Sequence, residues 1–106
     1  MQHINHFING EFVPAVDGKL FEKRSPVDRS IIAQVSEGGR ADVDRAVQAA
    51  RAALNGEWGA FTMEQRVDML YGVADEITRR FDDFVEAEMA DTGQPKSIMT
   101  HAFIPR

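Results

Sequence analysis

Up to Gly39 the apolar positions come in pairs and short alternations split by turn formers, and from Ala41 onward they recur every three or four residues. The first regime reads as strands. In HFINGEFVPA, Phe7 and Ile8 are parted from Phe12 and Val13 by Asn9-Gly10. That dipeptide between apolar pairs predicts a tight hairpin, because both residues tolerate positive φ. Pro14 ends the second arm or places it at an edge, since it has no N–H to give a ladder. Gly18 marks a further turn. KLFEKRSP supplies a short strand with Leu20 and Phe21, closed by Ser25-Pro26. Val27 to Ser30 forms a turn, and IIAQVSE is the next strand, with Ile31, Ala33 and Val35 on one face. Gly38-Gly39 breaks the pattern. The expected unit is a small antiparallel β meander.

The second regime reads as two or three amphipathic α-helices. From Ala41 to Asn55, Val43, Ala46, Val47, Ala50, Ala53 and Leu54 draw one stripe. Asp42 and Asp44 lie in the first turn, where carboxylates complement the helix dipole. Gly56 is placed to end the helix as its C′ residue. Thr62 with Gln65 predicts a capping box. Met63, Val67, Leu70, Ala74, Ile77, Phe81 and Phe84 follow in alternating steps of four and three, a face that asks for a sizeable partner surface. A break or new N-cap is expected around Phe81-Asp82-Asp83. Phe84, Val85 and Met89 carry the stripe on until Gly93 and Pro95 stop it.

A chain of 106 residues has room for one domain, and its 43% hydrophobic and 27% charged content is that of a globular protein. The net charge of −5 argues against nucleic acid and against an anionic membrane surface, both of which select clustered Lys and Arg. No stretch approaches the length of a membrane span. With no cysteine, disulfides, thiolate metal sites and a cysteine nucleophile are excluded within these residues. MQHINHFING has neither the basic start nor the apolar run of a secretory signal, and the expected location is cytoplasmic. KSIMTHAFIPR has no closing cap and reads as chain cut in mid-structure.

Candidate chemistry is sparse. His3 and His6 lie in a strand-like terminal segment and read as exposed polar residues rather than a metal pair. His101 stands alone. Gly38-Gly39 lacks the following glycine and lysine of a phosphate loop. Trp58 and Phe61 read as a loop packed over helix ends. Asp82, Asp83, Glu86 and Glu88 read as a solvated helix face.

The order of the pieces says more than any one of them. FINGEFV, then FEKRSPVDRSIIAQVSEGG, DVDRAVQAARAAL, WGAFTMEQRVDMLYGVADEI and EAEMADTGQPKS follow one another. In that order they resemble the N-terminal region of the aldehyde dehydrogenase superfamily, across essentially the whole chain. Ser25 departs from the Asn that the family usually carries before the turn proline. The resemblance implies an α/β enzyme in which residues 1–106 are the N-terminal part of the coenzyme-binding domain. The early strands, about residues 5–36, would lie near the oligomerisation region. It implies NAD, or NADP, as cofactor, a small aldehyde as substrate, and homo-oligomers. The family's nucleophilic cysteine, general-base glutamate and NAD-contacting glycines would all lie downstream, so no catalytic or cofactor-binding residue is assigned here.

Two finer expectations come from the same resemblance. RFDDFVEAEMADTGQPKS and the closing IPR resemble the branch that oxidises 2-hydroxymuconic or 2-aminomuconic semialdehyde from aromatic ring cleavage, although betaine-aldehyde-type branches share much of the region. Several members bind K+ or Na+ here, which implies Lys23 and Arg24 as ligands through their carbonyls and Asp91 through its carboxylate. The alternative for Asp91 is a turn residue that bonds backbone N–H groups. The alternative for the chain is a stand-alone helical protein-interaction module, whose apolar stripe from Met63 to Phe84 would dock a partner helix.

Overall fold

The computed structural model describes residues 1–103. The closing Ile-Pro-Arg of the branch-like segment lies outside the described residues. The chain divides into two compact units, Met1–Arg24 with Ser30–Phe61, and Ser25–Arg29 with the chain from Thr62 onward.

The first unit holds five short strands: β1 Gln2–Ile4, β2 His6–Ile8, β3 Glu11–Val13, β4 Leu20–Arg24 and β5 Ile31–Ser36. Asn9 and Gly10 both take positive φ, 54° and 81°, and close β2 and β3 into the expected two-residue hairpin. Phe7 and Phe12 face each other across it with ring centroids 5.0 Å apart. β4 and β5 pair antiparallel, also as expected. The order of strands departs from a meander. β1 pairs with β5 in parallel, Gln2 opposite Ala33, so the sheet runs β1-β5-β4 while β2-β3 stands apart. Apolar spacing reports which residues share a face and is silent on which strand lies alongside. The polar link between β1 and β2 carries part of the reason: the Ser36 hydroxyl, buried at the end of β5, donates to Asn5 Oδ1 at 3.2 Å.

Helix α1, Arg40–Leu54, follows the Gly38-Gly39 break, with Gly39 as its N-cap. Asn55 caps its C-terminus. Gly56 is not left-handed (φ −99°) and serves as the N-cap of a short helix α2, Glu57–Ala60. That immediate restart explains why no left-handed C′ residue is needed. Within α2 the chain passes so close to the end of α1 that a Cβ on Gly59 would sit 1.8 Å from the Leu54 carbonyl oxygen. Trp58 and Phe61 pack tilted, 5.9 Å between centroids. Ala15 and Ala33 are the buried apolar residues of this unit.

The second unit is helical: α3 Met63–Arg79, α4 Phe81–Thr92, a short turn α5 Lys96–Ile98 and a π-helical turn Met99–Phe103. The Thr62–Gln65 box forms in both directions, at 3.2 and 2.9 Å. The expected break falls at Arg80, which leaves α3 at φ −103° and ψ 26° and starts α4. Gly93 ends α4 in the left-handed region, φ 70°, and its N–H reaches the Met89 carbonyl at 2.9 Å. Val85 and Met99 are buried, and α4 packs against both following turns. α3 buries none of its residues; Met63 and Leu70 are 81% and 65% exposed.

Candidate functional site

The residues singled out for a cation lie at the ends of two elements. Lys23 and Arg24 close β4, with Lys23 opposite Ala33 and Arg24 opposite Ile31. One residue of β5 is skipped between these two pairs, so the register shifts at the Lys23/Arg24 step. Such an irregularity bends the strand and re-aims its backbone groups out of the even ladder. The Arg24 guanidinium is held by Glu22 Oε2 at 2.6 Å, on the exposed side of the strand. The strand then turns sharply. Ser25 Oγ accepts the Val27 N–H at 3.2 Å, the Ser25 carbonyl accepts the Arg29 N–H at 3.0 Å, and Arg29 takes φ 64°. Ser25 does this turn-forming work as an Asn side chain also could.

Asp91 is exposed and lies one residue from the end of α4. The exit there is built by its neighbours: Thr92 Oγ1 donates to the Glu88 carbonyl at 2.7 Å and accepts the Gln94 N–H at 3.3 Å. A Cβ on Gly93 would lie 3.0 Å from Pro26 Cγ, so the helix exit and the Ser25–Arg29 turn meet closely within the second unit. Lys23 and Arg24 belong to the first unit and Asp91 to the second. Taken singly, a backbone carbonyl and a carboxylate both offer oxygen, the ligand type that a hard cation selects. Among the described residues no three His, Asp or Glu side chains gather into a metal centre.

His3 is exposed as expected, but His6 is half-buried and its Nε2 is enclosed without a hydrogen-bond partner among the described residues. His3 and His6 lie on strands of different sheets, and His101 Nδ1 is 2.8 Å from the Ser97 carbonyl.

The residue that the apolar pattern undervalued is Asp42. It is 4% exposed, and its two oxygens accept from two separate places: Oδ2 from the Gly39 N–H and Oδ1 from the Val16 N–H, each at 3.0 Å. These two backbone donors, the Gly39 bond foremost, hold its carboxyl below the ordinary value of 3.8. Asp42 thus pins the loop before β4 to the N-terminus of α1. A glycine N-cap followed three residues later by an acid was the available signal.

The comparisons with known proteins bear on the whole arrangement. The profile of the aldehyde dehydrogenase family matches residues 12–104. The chain belongs to the aldehyde dehydrogenase family. It is 55% identical over its entire length to a 2-hydroxymuconic semialdehyde dehydrogenase of Pseudomonas sp. (strain CF600), of which it covers 22%. It is 45% identical over its entire length to a 2-aminomuconic 6-semialdehyde dehydrogenase of Pseudomonas sp., covering 21%. An NAD+ complex of an aldehyde dehydrogenase from Bacillus cereus superposes on 97% of the chain with a TM-score of 0.93 and 36% identity, and the chain covers 21% of it. The chain therefore spans about a fifth of the length of the aldehyde dehydrogenases it matches. The mixed sheet, the hairpin and the helices after them are the N-terminal region of that fold.

Proposed function

We propose that the complete protein carrying these residues is an NAD-dependent dehydrogenase of 2-hydroxymuconic semialdehyde. The observation that carries this reading is the 55% identity, over the whole chain, to an enzyme of that name. The 2-aminomuconic relative stands at 45% over the same span, which makes the amino analogue the second substrate to test. NAD is the cofactor of the reading, with NADP as the alternative; it would accept a hydride when bound. The reaction would oxidise the aldehyde to its carboxylate. The match over residues 12–104 favours this enzyme over a stand-alone interaction module.

Within it, residues 1–106 form the N-terminal part of the coenzyme-binding domain, and the strands over residues 5–36 lie near the oligomerisation region of a cytoplasmic homo-oligomer. This chain's own contribution is a scaffold and, in the same reading, a monovalent cation site. The Lys23 and Arg24 carbonyls and the Asp91 carboxylate would hold K+ or Na+. Its support is that each of these groups offers oxygen, together with the irregular end of β4.

Two experiments test this. Steady-state kinetics with 2-hydroxymuconic semialdehyde, its 2-amino analogue and betaine aldehyde should give the highest kcat/KM for the first; a preference for betaine aldehyde would overturn the substrate assignment. Asp91→Ala should flatten the dependence of activity or thermal stability on K+. A variant with the same K+ response as the parent would leave Asp91 as a turn residue.

A further inference from the structure

The chain contains two Asn-Gly dipeptides, Asn9-Gly10 and Asn55-Gly56, and the structure places them in opposite circumstances. An asparagine followed by glycine is chemically exposed to attack by the next residue's backbone nitrogen, because glycine has no side chain to shield it. In this reaction the Gly amide nitrogen loses its proton to solvent base and attacks the Asn Cγ. A C–N bond forms, the Cγ–Nδ2 bond breaks, and ammonia leaves. The resulting five-membered succinimide is opened by water at either carbonyl, giving aspartate or isoaspartate. No oxidant or reductant is involved.

At Asn55-Gly56 the nucleophile is occupied. The Gly56 N–H donates to the Ala53 carbonyl at 3.3 Å, and the Asn55 N–H is bonded at the α1 C-terminus to the Ala52 and Ala53 carbonyls. Reaction there requires the end of a fifteen-residue helix to open. At Asn9-Gly10 the circumstances reverse. The two-residue turn is closed by the Ile8–Glu11 pair, which leaves the Gly10 N–H outside the β2–β3 ladder. Asn9 and Gly10 are exposed, and no heavy atom beyond its chain neighbours lies within 4 Å of where a Gly10 Cβ would be. The two strands have three residues each and pair only with one another among the described residues, so a short ladder and the contact of β2 with α1 are what hold the turn.

We propose that Asn9 is a spontaneous deamidation site of this protein and that Asn55 is protected from the same chemistry by its helix end. The two products differ in consequence. Aspartate tolerates the left-handed backbone that Asn9 holds (φ 54°) and keeps the turn. Isoaspartate adds a methylene to the main chain within a two-residue loop, and loop length sets hairpin register. The isoaspartyl form therefore loses the Ile8–Glu11 pairing and the Phe7–Phe12 contact.

The complete native protein, aged at mildly alkaline pH, tests this by peptide mapping, with an isoaspartate-specific methyltransferase as the probe for the rearranged product. Asn9 should convert about tenfold faster than Asn55, equivalent to about 1.4 kcal/mol. In denaturant the two rates should converge, because the protection belongs to the fold and not to the dipeptide. Equal conversion in the native protein, faster conversion at Asn55, or a native ratio that persists after unfolding would each overturn the proposal.

Discussion

Asp42 shows how much one side chain can hold when both of its oxygens are used. Its neighbour Asp44 has the same sequence credentials, an acid in the first turn of α1, yet only Asp42 is buried. Asp42→Ala should accelerate hydrogen exchange at the Val16 and Gly39 amides by about tenfold, since each loses its acceptor. Asp42→Asn, which keeps one oxygen, should restore protection at one of the two amides only. The pH dependence follows from the lowered carboxyl pKa. The unfolded chain takes up the proton first as pH falls, so the contribution of Asp42 is complete above its ordinary value of 3.8 and is lost below it, as pH falls through the folded value. Exchange at Val16 and Gly39 should accordingly stay flat, after correction for intrinsic rates, from neutral pH to about 5 and rise only in the acid range.

At the scale of elements, the helices were legible and the strand order was not. The Thr62–Gln65 box, the break at Arg80 and the left-handed Gly93 are local instructions, written within four residues of where they act. Gly93→Ala should destabilise by about 1–2 kcal/mol in chemical denaturation, since alanine must adopt φ 70° and its Cβ must push Pro26 aside. A change below about 0.5 kcal/mol would mean that the α4 exit relaxes freely. The parallel β1–β5 pairing had no comparable local sign. Three residues with polar neighbours carry no period, and the partner lies some thirty positions away, Gln2 against Ala33. Gly56 does follow the Asn55 C-cap as C′, but at φ −99° rather than the left-handed end such a glycine usually makes, because the chain begins another helix at once. Of the candidate site, Asp91 and the end of β4 could be named from the family resemblance alone. Nothing in the local pattern separates a ligand Asp from a turn Asp. Asp42 was visible only as a dipole partner because its second bond, to Val16, spans 26 residues.

At the scale of the molecule, the exposed stripe of α3 and the short stretch of family length covered have a common reading. Met63, Val67 and Leu70 stand on the surface of a chain that spans about a fifth of the proteins it matches. In a complete dehydrogenase such surface is what the rest of the polypeptide would cover. The proposed activity is tested by mixing the complete protein with NAD+ and 2-hydroxymuconic semialdehyde and quantifying both NADH and carboxylate. NADH should form in equal amount to carboxylate, with turnover that depends on the aldehyde. No NADH with any semialdehyde, from protein that is folded and binds NAD+, would contradict the proposed activity.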